Sequence, residues 1–179
     1  MRLPLCFLAF TALAARADIV FTEIHYHPVE EPTFNTDGTP VYDLSNDIHE
    51  FVEIQNTGAS AVDLSGYVIS GGIDFSFPAG TTIASGAFKV IAKTPARIET
   101  VYALTSGSVL GAYTGSLSNN SDTIRIKNAA GDVLDSVTYD SKFPWAQSAD
   151  AMGAADRFTG LTSSSYNFKG RSLQRVSTS

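Results

Sequence analysis

The chain has 179 residues, with 12 basic against 18 acidic side chains, a formal net charge of −6 and one cysteine. That length suits a single domain with its own core. The acidic balance excludes a nucleic-acid binder, which needs clustered Lys and Arg against phosphates, since only Lys169, Arg171 and Arg175 gather. It disfavours anionic membrane surfaces for the same reason.

Met1-Arg2 gives a positive start, Leu3 to Ala15 an almost uncharged apolar run, and Ala15-Arg16-Ala17 an A-x-A cleavage pattern. The run is too short to span ~30 Å of hydrocarbon, so residues 1–17 are predicted to be a cleavable signal peptide, not an anchor. The mature domain is then 18–179, secreted or held in the cell envelope, with no membrane insertion. Cys6 leaves with the signal, so no disulfide, thiolate nucleophile or cysteine metal ligand remains. Arg2 and Arg16 leave too, moving the charge from −6 to −8.

Along the rest of the chain the apolar period is two, which predicts strands with one buried face. They are expected at 19–26, 50–56, 67–70, 74–77, 88–93, 109–113, 124–127, 133–139 and 172–176. Turn residues separate them: Asn56-Thr57-Gly58, Ser70-Gly71-Gly72, Pro78-Ala79-Gly80, Ser85-Gly86 and 128–132. One short helix is expected at 96–102, with Thr94 as cap and Pro95 in the first helical position. Two long loops flank the set, 28–49 with Pro28, Pro32 and Pro40, and 149–170, rich in small polar residues. Short strands at this spacing indicate an all-β sandwich or barrel. The expected core is Val52, Ile54, Leu64, Tyr67, Ile69, Phe75, Phe77, Phe88, Val90, Ile124, Ile126, Val133, Val137 and Tyr139.

Several runs carry a family pattern. Glu50-Phe51-Val52-Glu53-Ile54-Gln55-Asn56 and then Val62-Asp63-Leu64-Ser65-Gly66-Tyr67 resemble the opening of a lamin tail domain. So do Phe75-Ser76-Phe77-Pro78-Ala79-Gly80-Thr81, Leu117-Ser118-Asn119 and Gly131-Asp132-Val133-Leu134-Asp135-Ser136-Val137-Thr138-Tyr139. Glu23-Ile24-His25-Tyr26-His27-Pro28, Pro144-Trp145 and Ser172-Leu173-Gln174-Arg175-Val176 resemble its bacterial exported branch. The resemblance implies an Ig-like β-sandwich without an active site or cofactor. It also implies an interaction or accessory module, of the kind that forms part of a larger exported protein. Its partner would be a protein or a polysaccharide. The lamins' filament assembly and chromatin association do not transfer, because no rod precedes the domain and its charge is acidic.

Three chemical alternatives stand beside that reading. Glu23, His25 and His27 share strand parity, and His49 would join His25 and His27 in a small metallo-hydrolase, since zinc accepts imidazole and carboxylate. The spacing fits no metal signature, and partly exposed strand residues at His25 and His27, leading into Pro28, are the simpler account. Asn35, Asp37, Asp43, Asn46 and Asp47 crowd the first long loop, as in a calcium-dependent carbohydrate-binding domain with Tyr42 and Trp145 as exposed sugar-stacking aromatics. No glutamate closes the loop, and Asp and Asn favour turns in any case. Glu50 and Glu53 lie an odd number of steps apart, on opposite strand faces, so they cannot flank one glycoside. No G-x-S-x-G elbow is present. Asp135 shares parity with Val133, Val137 and Tyr139, which predicts a buried structural carboxylate accepting backbone N–H groups from a neighbouring loop.

Overall fold

The computed structural model describes residues 19–28, 33–41, 47–146, 149 and 171–177. The expected signal peptide, Tyr42, Asp43, Asn46 and nearly all of the 149–170 loop lie outside them. No described helix is long and apolar enough to cross a membrane.

The main antiparallel sheet contains β1 (Ile19–His25), β4 (Phe51–Asn56), β9 (Phe88–Ala92) and the short β13 (Leu173–Gln174), in the order β13-β1-β4-β9. The facing sheet runs β10-β7-β6-β11-β12, from β6 (Val68–Ser70), β7 (Ile73–Ser76), β10 (Thr114–Gly115), β11 (Ser121–Lys127) and β12 (Val133–Asp140). Two small ladders join β2 (Thr33–Phe34) to β3 (Pro40–Val41) and β5 (Val62–Asp63) to β8 (Thr82–Ile83). The core forms where the period-two faces meet. Ile19, Phe21, Ile24, Val52, Ile54 and Ile91 come from one sheet, and Ile69, Ile73, Phe75, Ile124, Ile126 and Tyr139 from the other. The result is the expected Ig-like β-sandwich.

The helix α1 (Pro95–Val101) lies on the outer face of the first sheet. Pro95 begins it and Thr94 holds the N-cap position, but the threonine side chain makes no capping hydrogen bond. Ile98 packs with Phe51, Ala92 and Val109 in a small second core. Tyr102, just beyond the helix, stands edge-on to Phe51 at 6.2 Å.

Several expectations need correction. Phe88 is 53% exposed, because the ladder pairs it with Gln55 and pairs Ile91 with the inward Val52. Val90 therefore faces outward as well, half-buried against the helix cluster. Val133 is 47% exposed. Asp135 pairs with Ile126 but Val133 with Lys127, so a bulge at Leu134 turns Val133 to the wet side. Tyr67 and Val137 are half-buried at the rim. Residues 109–113 form no strand: only Leu110 bridges, in parallel, to Ile91. Gly111 passes so close to Ala92 that a Cβ would lie 2.2 Å from its carbonyl oxygen, and its φ of 140° breaks the extended run. Within the 28–49 loop the β2–β3 hairpin replaces irregular chain.

Candidate functional site

Two polar constellations stand out, one at the open side of the sandwich and one inside it. At the open side, Asp135 Oδ2 accepts the Phe21 backbone N–H at 2.8 Å and Arg175 Nη2 at 2.6 Å. Arg175 Nε donates to the Phe21 carbonyl at 2.7 Å, and the Arg175 backbone N–H to Thr22 O at 2.8 Å. The β1 ladder shifts register between Phe21 and Glu23. A bulge frees backbone groups from the ladder, and the Asp135–Arg175 pair takes them up. Asp135 thus ties β12 to strand β1 and to the residue after β13, not to a neighbouring loop.

Beside this clamp runs a groove of about 400 Å³, walled by Phe21, Ile24, Val137, Trp145 and Leu173, with Thr138 on its rim. Trp145 is half-buried against the core instead of exposed; the exposed aromatic nearby is Phe143, at 84%. Sheet edges differ sharply in cover. Edge strands β10 and β13 have two residues each, and Leu110 shields β9 by hydrogen bonds to Val90 and Ala92. The eight-residue β12 pairs, among the described residues, with β11 alone.

The second constellation centres on Glu50. It shares parity with the inward Val52 and Ile54, and its side chain is 0% exposed. Tyr113 Oη donates to Oε2 at 3.1 Å, while Lys93 Nζ stands 3.7 Å from the same oxygen and donates to Ser116 Oγ at 2.7 Å. Oε1 has no hydrogen-bond partner among the described residues. The Leu117 backbone N–H also favours the charged form. Burial, and next the neighbouring Asp47 charge, push the Glu50 carboxyl up to about 8, against the weaker pull of Lys93. Burial also pushes the Tyr113 hydroxyl well above its usual range. Asp47 is itself buried and held at φ 47°.

The metal candidates do not converge. His25 stays on the outer face with Glu23, its ring edge-on to Phe51 at 5.3 Å. The strand ends there, and His27 turns into the interior. His49 Nε2 accepts Arg97 Nε at 2.8 Å, which ties the pre-β4 turn to α1. Asn35 and Asp37 shape the exposed β2–β3 turn: Asp37 Oδ1 accepts both the backbone and the hydroxyl of Thr39, and these bonds lower its pKa. Asp47 belongs with Glu50 instead. Among the described residues no three His, Cys, Asp or Glu side chains form a metal-sized group. Glu53, on the outer face, accepts the Thr22 hydroxyl at 2.7 Å, and burial raises its carboxyl. The Glu50 cluster was missed in the sequence: parity with Val52 and Ile54 marks Glu50 as inward, but Lys93 shares parity with Ile91, which only the β4–β9 register turns inward.

A family model described as the Lamin Tail Domain matches residues 12–141 of the chain. Trp145, β13 and Arg175 lie beyond the match, so one wall of the groove and half of the Asp135 clamp come from outside it. No curated protein matches the sequence.

Proposed function

The chain belongs to the lamin tail domain family, and from that premise we propose that it is an exported, non-catalytic interaction module that binds an extended polypeptide strand along β12. The carrying observation is the contrast between edges: among the described residues β12 is long and unpaired on one side, whereas the other three edges are short or covered. An unpaired edge offers a row of backbone donors and acceptors to an added strand, and side-chain pockets beside it set specificity. The groove next to β12 supplies such a pocket.

Selection of a displayed random-peptide library on the purified chain tests this. Recovered peptides should slow amide exchange along 136–140, and Thr138→Lys, a charge on the exposed rim, should abolish their binding without lowering Tm. Protection elsewhere would overturn the reading. Binding of polysaccharide instead, lost in Trp145→Ala, would favour the carbohydrate alternative, which the Trp145 wall of the groove motivates.

Export rests on the N-terminal pattern and places the module outside the cytoplasm, as in the bacterial exported branch. Exported protein should begin at Asp18 or close to it. N-terminal sequencing that returned Met1 would rule export by cleavage out.

A further inference from the structure

Glu50 and Lys93 sit opposite one another where the β4–β9 ladder ends. Phe51 pairs with Ala92, and the Lys93 backbone N–H donates to the Glu50 carbonyl at 3.1 Å. Both backbones are therefore fixed by the sheet, and the side chains meet with Nζ 3.7 Å from Oε2. The carboxyl is fully buried and one of its oxygens has no hydrogen-bond partner among the described residues, while the other accepts from a tyrosine hydroxyl. As an ion pair this arrangement is poor: a buried carboxylate should have every oxygen hydrogen-bonded. As a reactive pair it is well arranged.

We propose that Lys93 and Glu50 become joined by an amide bond, Nζ to Cδ, formed by the folded chain itself with loss of one water. Proton transfer from the Lys93 ammonium to the Glu50 carboxylate first gives an amine and a neutral acid, and it is the full burial of the carboxyl that favours its neutral form. The raised proton affinity of Glu50 has the same direction. Nζ then attacks Cδ. The Tyr113 hydroxyl, already donating to Oε2, stabilises the negative charge that develops on that oxygen in the tetrahedral adduct. Collapse breaks the Cδ–Oε1 bond. Oε1 leaves as water, carrying the acid's proton and one proton from Nζ, and the amide keeps the other. No oxidant or external reagent is required. In bulk water an amine and an acid at ordinary concentration do not condense, but groups held in contact react with effective concentrations of ~10⁵–10⁸ M. The product would staple the first sheet at the point where Asp47, Glu50 and Tyr113 bury their polar atoms. It would do so in a domain whose single cysteine lies in the expected signal peptide.

Peptide mapping of the full chain, folded and kept at neutral pH for several days, tests the proposal. Trypsin should fail to cut after Lys93, and peptide 90–97 should stay attached to peptide 17–89 at one water below their summed mass. Lys93→Arg keeps the charge but cannot form this bond, and should give separate peptides at full mass. Tyr113→Phe should still link, at a rate lower by roughly ten-fold or more. Succinimide formation at Asp37-Gly38 also loses water, but leaves cleavage after Lys93 intact. Complete cleavage after Lys93 in the folded parent, or water loss mapped to any other pair, would overturn the proposal.

Discussion

A carboxyl that binds its proton more tightly in the folded than in the unfolded state makes stability fall as pH rises. For Glu50 the loss should run from the ordinary value of 4.5 through about 8. The comparison belongs in the Lys93→Arg chain, where the carboxyl stays free. There the unfolding free energy should drop between pH 5 and pH 9 by on the order of a few kcal/mol, at ~1.4 kcal/mol per pK unit. Adding Glu50→Gln should flatten that profile, and an unflattened profile would mean that another group carries it. In an amide-linked parent the same pH dependence should be absent. At Asp135, asparagine keeps the shape but loses the charge that Arg175 and the Phe21 N–H share. Asp135→Asn should lower the unfolding free energy by ~1.5–3 kcal/mol, read as a lower denaturant midpoint with unchanged slope. Combined with Arg175→Met the loss should be less than additive, since both remove one interaction. A curve overlaying the parent would argue against the structural role.

At the scale of the strand, one extra residue decides which side chains are wet. Ile126 pairs with Asp135 on the inner face, the Leu134 bulge intervenes, and Val133 emerges beside Lys127. Ile126→Ala should therefore cost ~2–5 kcal/mol, whereas Arg125→Ala and Val133→Ser should stay within ~0.5 kcal/mol. Urea denaturation of the three variants reads this directly; a large loss in Val133→Ser would place the bulge elsewhere. The outer face of β9 has a parallel history. Phe88, Val90 and Ala92 read as inward because they are apolar, yet only Val90 and Ala92 are covered, by the α1 cluster, and Phe88 lies beyond its reach.

For the whole molecule, stability comes from the two facing sheets and from the clamp that closes their open side. None of the described side chains forms a metal-sized cluster, and Asn35 and Asp37 are used by their own turn. A chelator should therefore shift Tm by no more than a few degrees. A larger drop, reversed by calcium, would return the acidic loop to the list of sites. The clamp also makes the tail of the domain matter: Arg175 lies outside the matched family region, yet it reaches the bulge of the first strand.

Period-two alternation, turn residues and the ordered family motifs were enough for the sandwich, the place of α1 and much of the inward set, Val52, Ile54, Leu64, Ile69, Phe75, Phe77, Ile124, Ile126 and Tyr139, because a strand's side chains alternate whatever they pack against. Alternation also holds the parity that marks Glu50 as inward, but it left Lys93 on the wrong face until the register with β4 was known, and parity says nothing about distance. That the two meet at 3.7 Å under Tyr113, that Asp135 reaches Phe21 and Arg175, and that among the described residues one edge of β12 stays unpaired while β9 is shielded were decided by register, bulges and a loop crossing, which arise only when distant segments come together. The same limit explains Phe88 and Val133. Their hydrophobicity is local, but the face they occupy is set by the partner strand.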